Sequence, residues 1–131
     1  MNWYKKAQID IDLISAKYPK ANGISGELSV RNDVPNTSSI SASLTDYYEV
    51  PGIRNIPLSE FHLTGKSYSI EEDNRIKSLE NQIKFSKQIN PIIAVLDNEG
   101  LYILEGGHRA DALYNLGSKV IPAMLIVDLE S

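Results

Sequence analysis

Glu105-Gly106-Gly107-His108-Arg109 brings a carboxylate, two glycines, an imidazole and a guanidinium into consecutive positions. The glycines let the chain turn tightly out of the apolar run 101–104. The residues after them predict a helix over 108–116, closed by Gly117 as a left-handed cap. The first amides of a helix have no intrahelical acceptor, so their partial positive charge joins that of His108 and Arg109 at one point. An anion belongs there. Arginine offers a planar fork that matches two phosphate oxygens, and Glu105 can hold a magnesium ion or orient water beside that phosphate. Singly, each residue has an ordinary reading as turn, solvated cation or hydrogen-bonded histidine. Gathered at a single helix start, they point to phosphate chemistry.

The elements that must position this motif lie on either side of it. Pro91 introduces the β-branched run 92–96, which Asp97-Asn98-Glu99-Gly100 separates from 101–104, and this pattern predicts a hairpin. Ser69-Ile70-Glu71-Glu72 is a capping box, Glu71, Glu72 and Asp73 suit the positive end of a helix, and Ile76, Leu79 and Ile83 make one apolar stripe. A helix to about residue 85 follows from them. Beyond Gly117, residues 120–127 predict a strand interrupted at Pro122. Upstream, 54–58 reads as a strand with Ile56 and Leu58 inward, followed by a polar loop through Gly65.

The spacing predicts a helix over 4–18 with Ile9, Leu13 and Ile14 inward, ending before Pro19, then a short strand over 27–31. Residues 37–44 read as a short helix capped by Asn36 or Thr37. The polar stretch Arg31-Asn32-Asp33-Val34-Pro35-Asn36 reads first as a solvated loop and second as a cover for a site. Trp3, Tyr4 and Tyr18, set among Lys5, Lys6, Lys17 and Lys20, read as helix packing rather than as a platform for single-stranded nucleic acid.

With 131 residues there is room for one domain and none for a second of enzyme size. Composition shifts near Tyr48. The expected division is an N-terminal extension, 1–48, packed on or covering a core domain, 49–131. Thirteen basic residues against 17 acidic ones leave a net charge of -4, so direct nonspecific DNA binding is not expected. The absence of cysteine excludes disulfides, thiol catalysis and cysteine-ligated metals. No apolar run reaches membrane-span length, and Met-Asn-Trp-Tyr-Lys-Lys does not open a signal peptide. A cytoplasmic protein with no membrane partner is the expectation.

From Ile53 to Val127 the order of segments resembles the ParB N-terminal and sulfiredoxin superfamily. The resemblance rests on Ile56-Pro57-Leu58, a helix from Arg75 to Phe85, Ile89-Asn90-Pro91-Ile92-Ile93-Ala94-Val95, the glycine motif, and Val120-Ile121-Pro122-Ala123-Met124-Leu125-Ile126-Val127. It implies an α+β nucleotide-binding domain over 49–131, with a small mixed sheet, helices packed around it, and a phosphate-binding helix N-terminus after a strand. It also implies a nucleotide ligand (ATP, ADP or CTP) with magnesium, and places Asn90, which precedes Pro91, beside that nucleotide.

Departures narrow the resemblance. Sulfiredoxins carry Gly-Gly-Cys-His-Arg, and Gly107 stands here where their catalytic cysteine would be, so sulfinic acid reduction is out. Partition proteins carry Gly-Glu-Arg-Arg, and no helix-turn-helix follows here, so a centromere clamp is not expected. Free-serine kinases carry Asp-Gly-His-His-Arg, the closest pattern, with Glu105 standing for the aspartate. Their further catalytic acid has no match in His62-Leu63-Thr64-Gly65-Lys66.

The first functional reading is therefore a magnesium-dependent nucleotide hydrolase or phosphotransferase acting toward an unidentified small-molecule or macromolecular acceptor. Glu105 positions metal or water, the Gly106 and Gly107 amides with Arg109 neutralise phosphate charge, and His108 donates a hydrogen bond or proton. The alternatives are a DNA-associated accessory protein of a phage or mobile element that uses nucleotide as a regulatory ligand, and a ParB-like nuclease. The acidic net charge and the lack of an acidic metal cluster count against the nuclease.

Overall fold

The β-branched run after Pro91 becomes the strand β5 (Ile92–Asp97), and in it Ile92, Ile93, Ala94 and Val95 are all fully buried. Burial on both faces means that something covers each side of the sheet. The computed structural model describes residues 11–61 and 69–130. In chain order the other described elements are α1 (Ile11–Lys17), β1 (Ile24–Ser25), β2 (Leu28–Val30), α2 (Ser38–Ser43), β3 (Tyr47–Pro57), a 3-10 turn (Leu58–Glu60), α3 (Ile70–Ser86), β4 (Gln88–Ile89), β6 (Gly100–Glu105), α4 (Gly107–Asn115) and β7 (Val120–Asp128). This is the mixed α+β fold expected from the sequence.

A four-stranded sheet has the order β3-β7-β5-β6, with β7 antiparallel to β3 and parallel to β5, while β5 and β6 form the expected hairpin. Alternation along β5 splits the core in two. Ile92 and Ala94 face the larger cluster with Ile14 of α1, Ile76 and Ile83 of α3, and Ala110 and Leu113 of α4. Ile93 and Val95 face Ile40 and Leu44, which α2 lays over them together with Ile126. Covering that second face contributes about 1.5–3 kcal/mol for each large side chain buried, which explains why a serine-rich segment of weak helical preference folds as α2. A smaller sheet, β1-β2-β4, joins the N-terminal hairpin to the chain just before β5, with β2 parallel to β4 through Ser29–Gln88 and Val30–Ile89.

The capping box holds in its first half: the Ser69 hydroxyl accepts from the Glu72 amide at 3.2 Å, and α3 runs 17 residues from there. The end of α4 closes through Gly117 at φ 81°, with the Gly117 amide on the Tyr114 carbonyl and the Ser118 amide on that of Leu113, the paired pattern of a left-handed helix cap.

Three local expectations are corrected. Leu13 lies 69% exposed on α1, whereas Ile14 and Tyr18 turn inward, and the Tyr18 hydroxyl donates to Glu60. Leu58 is buried as expected but belongs to the 3-10 turn, and its strand begins at Tyr47, passing a register irregularity between Glu49 and Ile53. Pro122 does not interrupt β7. It sits opposite Asn55, whose amide points away from β7 onto the Pro19 carbonyl at 2.8 Å. That pair therefore exchanges no ladder hydrogen bonds, and the missing N–H of Pro122 costs the β3 ladder nothing.

Trp3, residues 4–10 of the first expected helix with Lys5 and Lys6, and the segment 62–68 lie outside the described residues. Among the described residues, no helix is long and apolar enough to cross a membrane.

Candidate anion-binding cleft

Glu105 ends β6, and the ladder that carries it is irregular. Ile93 pairs with Glu105 and Ala94 with Ile103, which leaves Leu104 as the extra residue of a bulge one position before the motif. Bulges re-aim the side chains beside them. The next residue, Gly106, adopts φ 104°, ψ 24°, and α4 starts at Gly107. The Ala110 amide closes the first helical bond on the Gly106 carbonyl at 3.1 Å. The amides of residues 107–109 consequently lack helical acceptors, as expected for an anion site.

A cleft of about 340 Å³ opens in front of this helix start. Its apolar floor is Leu79, Ile83 and Ile89, its walls carry Gln82 and Ser86 from α3, Gln88 from β4 and Arg31, and its far end is Asn90 with residues 105–109. All six residues singled out from the sequence, Asn90, Glu105, Gly106, Gly107, His108 and Arg109, therefore line one space. The sequence did not single out Gln82, Ser86 or Gln88. Gln82 and Ser86 are four residues apart beside the apolar stripe of α3, a spacing that could have indicated a polar strip along one helix face.

Arg109 carries the strongest physical signal. Its Nε and Nη2 atoms are buried and have no hydrogen-bond partner. These atoms form one edge of the guanidinium, the edge that grips two oxygens at once. Burial lowers the pKa of Arg109 and the charge of Glu105 opposes that shift, yet an arginine stays protonated at physiological pH. A charged donor pair hidden from water without acceptors is costly, so the cleft favours an anion that supplies them. Asn90 adds a buried Oδ1 that also has no partner, an acceptor for a ligand hydroxyl or amino group.

Glu105 is held from an unexpected side. Asn36 Nδ2 donates to its Oε1 at 3.1 Å, and Asn36 itself sits at φ 60° with its carbonyl accepting from both the amide and the hydroxyl of Ser39. At the other end of the same loop, the Arg31 amide donates to the Ile89 carbonyl at 2.9 Å. The polar stretch 31–36 is thus fastened at both ends, and Arg31 at its start lines the cleft. Asn36→Gly should lower stability by about 0.5–1.5 kcal/mol, the worth of one hydrogen bond. Asn36→Ala should cost roughly 1 kcal/mol more, because alanine resists the left-handed backbone. Urea unfolding of the two variants checks this, and equal losses would mean that the backbone at residue 36 is unstrained.

Among the described residues, no three His, Cys, Asp or Glu side chains cluster where they could hold a metal ion. Magnesium is commonly bound by one or two carboxylates together with phosphate oxygens. The single carboxylate of Glu105 fits that mode once a phosphate is present.

No family model matches the chain, and no curated protein matches it. Among solved structures it is similar to the C-terminally truncated chromosome-partitioning protein ParB from Caulobacter crescentus complexed with CTP-gamma-S, at 23% identity and a TM-score of 0.45, over 56% of this chain and 43% of that one. It is similar also to sulfiredoxin from Arabidopsis thaliana, at 22% identity and a TM-score of 0.42, over 62% of this chain and 84% of that one. The chain thus spans less than half the length of the ParB structure it matches. The likeness is one of fold alone.

Proposed function

We propose that the cleft binds the phosphates of a nucleoside di- or triphosphate and that, with magnesium, the protein hydrolyses or transfers the terminal phosphate. The observation that carries this reading is the buried, unpartnered Nε–Nη2 edge of Arg109 at the N-terminus of α4. Around it, the helix amides and His108 supply further donors, and the apolar floor with Gln82, Ser86 and Asn90 suits the nucleoside part of the ligand. Magnesium between Glu105 and the phosphates would neutralise charge as the phosphoryl group leaves. Arg109 and the amides of residues 107–109 hold the phosphate in place, and Glu105 positions metal or water, steadied by Asn36.

A second reading, a nucleotide-regulated accessory protein without turnover, is supported by the same cleft, because Glu105 is its one carboxylate among the described lining residues. Calorimetry with ATP, ADP, CTP and GTP, with and without magnesium, tests binding. Phosphate release then separates the two readings. Glu105→Gln should reduce phosphate release by about a hundredfold or more while affinity stays within a few fold, since the loss falls on the transition state. If the unaltered protein releases no phosphate from any nucleotide that it binds, with candidate acceptors added, the regulatory reading replaces the enzyme.

A further inference from the structure

A second cleft lies on the opposite side of Ile83, about 490 Å³ in volume and built by the turn of the first hairpin, the end of α3, the closing turn of α4 and the start of β7. Its floor is apolar, with Leu28, Leu116 and Val120, and its rim carries Lys84, Lys87 and Lys119 against Glu27 alone. In a chain of net charge -4 this reverses the local sign. The negative end of α3 accounts for Lys84, in its last turn, but not for Lys119, which precedes β7. The Ser29 amide already occupies the Lys87 carbonyl, and the amides of Gly117 and Ser118 occupy the last carbonyls of α4. Among the described residues the ion pair is elsewhere, between Lys17 and Glu60.

The complement of this cleft is present at the other end of the same helix. Ile70 opens α3 with 80% of its surface exposed, and Glu71, Glu72 and Asp73 follow it directly. An apolar side chain beside three carboxylates is the inverse of an apolar floor beside three lysines. We propose that the cleft receives the N-terminal tip of α3 from a second copy of this chain, Ile70 seated on Leu28, Leu116 and Val120 and the carboxylates facing Lys84, Lys87 and Lys119. The helix dipoles then align head to tail, with the positive end of one α3 meeting the negative end of the next. Tip and cleft are different patches, separated by the length of α3, about 25 Å for its 17 residues, so one copy can engage two neighbours, one through its tip and one through its cleft. A pair joined by one such contact still has one free tip and one free cleft, so assembly extends as a chain or closes as a ring. A nucleic acid fits less well, because it offers the apolar floor nothing.

The test is sedimentation velocity of the full chain at moderate salt from ~10 µM to ~1 mM, with two charge-swapped variants, Lys84→Glu/Lys119→Glu and Glu71→Lys/Asp73→Lys. The weight-average mass of the unaltered protein should rise with concentration and fall with added salt. Each swapped variant puts like charges on its own tip and cleft, so the dissociation constant should rise at least tenfold. An equimolar mixture restores opposite charges at both contacts and should assemble again. Ile70→Ser, a change at an exposed position that leaves every charge in place, should weaken assembly several-fold even if a swapped variant folds poorly by circular dichroism. A monomer throughout the range, an association indifferent to both swaps, or a mixture that stays monomeric overturns the proposal. So does a monomeric chain that binds a fluorescein-labelled DNA duplex or an acidic peptide through these lysines, and the cleft then belongs to that partner.

Discussion

Arg109→Ala is expected to weaken nucleotide binding by about 1.5–3 kcal/mol, roughly tenfold to a hundredfold, and to leave the ligand-free fold as stable as before within about 1 kcal/mol. Both halves follow from the same atoms. Nε and Nη2 are buried without acceptors in the free protein, so the truncation removes donors that contribute nothing to stability until a ligand arrives. What it loses in the free state is packing of the aliphatic stem, and what it gains is relief from an unmatched charge. A structural arginine would behave in the opposite way, with a clear loss of stability and little change in affinity. Arg109→Lys sharpens the comparison. It keeps the charge and loses the two-pronged edge, so it should recover only part of the affinity. Calorimetry and urea unfolding on the same preparations measure the two halves, and equal affinity in the unaltered protein and Arg109→Ala would remove Arg109 from the site.

The parts of this molecule legible in its sequence are those whose cause is local. The capping box at Ser69, the turn at 97–100 and the glycine at 117 each act through neighbours a few residues away, and α3, the β5–β6 hairpin and α4 fall where those signals place them. Of the small sheet only β2 was legible, as the strand expected over 27–31; its partners were not. Strands of two or three residues carry no period, and β2 finds β4 only because the fold brings Val30 beside Ile89. Leu13 and Ile14 are adjacent apolar residues on a short helix, and which one turns inward is decided by the sheet it meets rather than by spacing.

The same division runs through the cleft. The motif 105–109 was visible because its chemistry is contiguous. The hydrogen bond from Asn36 to Glu105 joins residues 69 apart, in a stretch whose composition is equally that of any turn. Pro122 shows the converse, a true local rule set aside by register, since its missing donor does not face β3.

Gly106→Ala should be the most damaging single change, and its neighbour shows why the effect belongs to one position rather than to the pair. At φ 104° the backbone of Gly106 lies where side chains are rarely tolerated. An added Cβ would stand 2.5 Å from Ile92 Cγ2 and 2.7 Å from Arg109 Nη2. The end of Arg109 can swing aside, although doing so dismantles the anion grip. Ile92 is fully buried at the start of β5 and has nowhere to go. Backbone strain of about 1–2 kcal/mol and overpacking of about 1–3 kcal/mol together predict a loss of roughly 2–5 kcal/mol, or about 7–18 °C in Tm, with nucleotide binding abolished. Gly107 has an ordinary φ, lies exposed, and a Cβ there meets nothing within 4 Å. Gly107→Ala should therefore leave Tm unchanged or raise it slightly, because alanine favours the helix that begins there. Its methyl group would nevertheless stand beside the amides that an anion approaches, so affinity should fall several-fold while stability does not. Thermal unfolding and calorimetry of both variants separate the two effects. Equal melting temperatures for Gly106→Ala and Gly107→Ala would show that the turn into α4 is not held against Ile92, and unchanged affinity in Gly107→Ala would place the phosphate away from these amides.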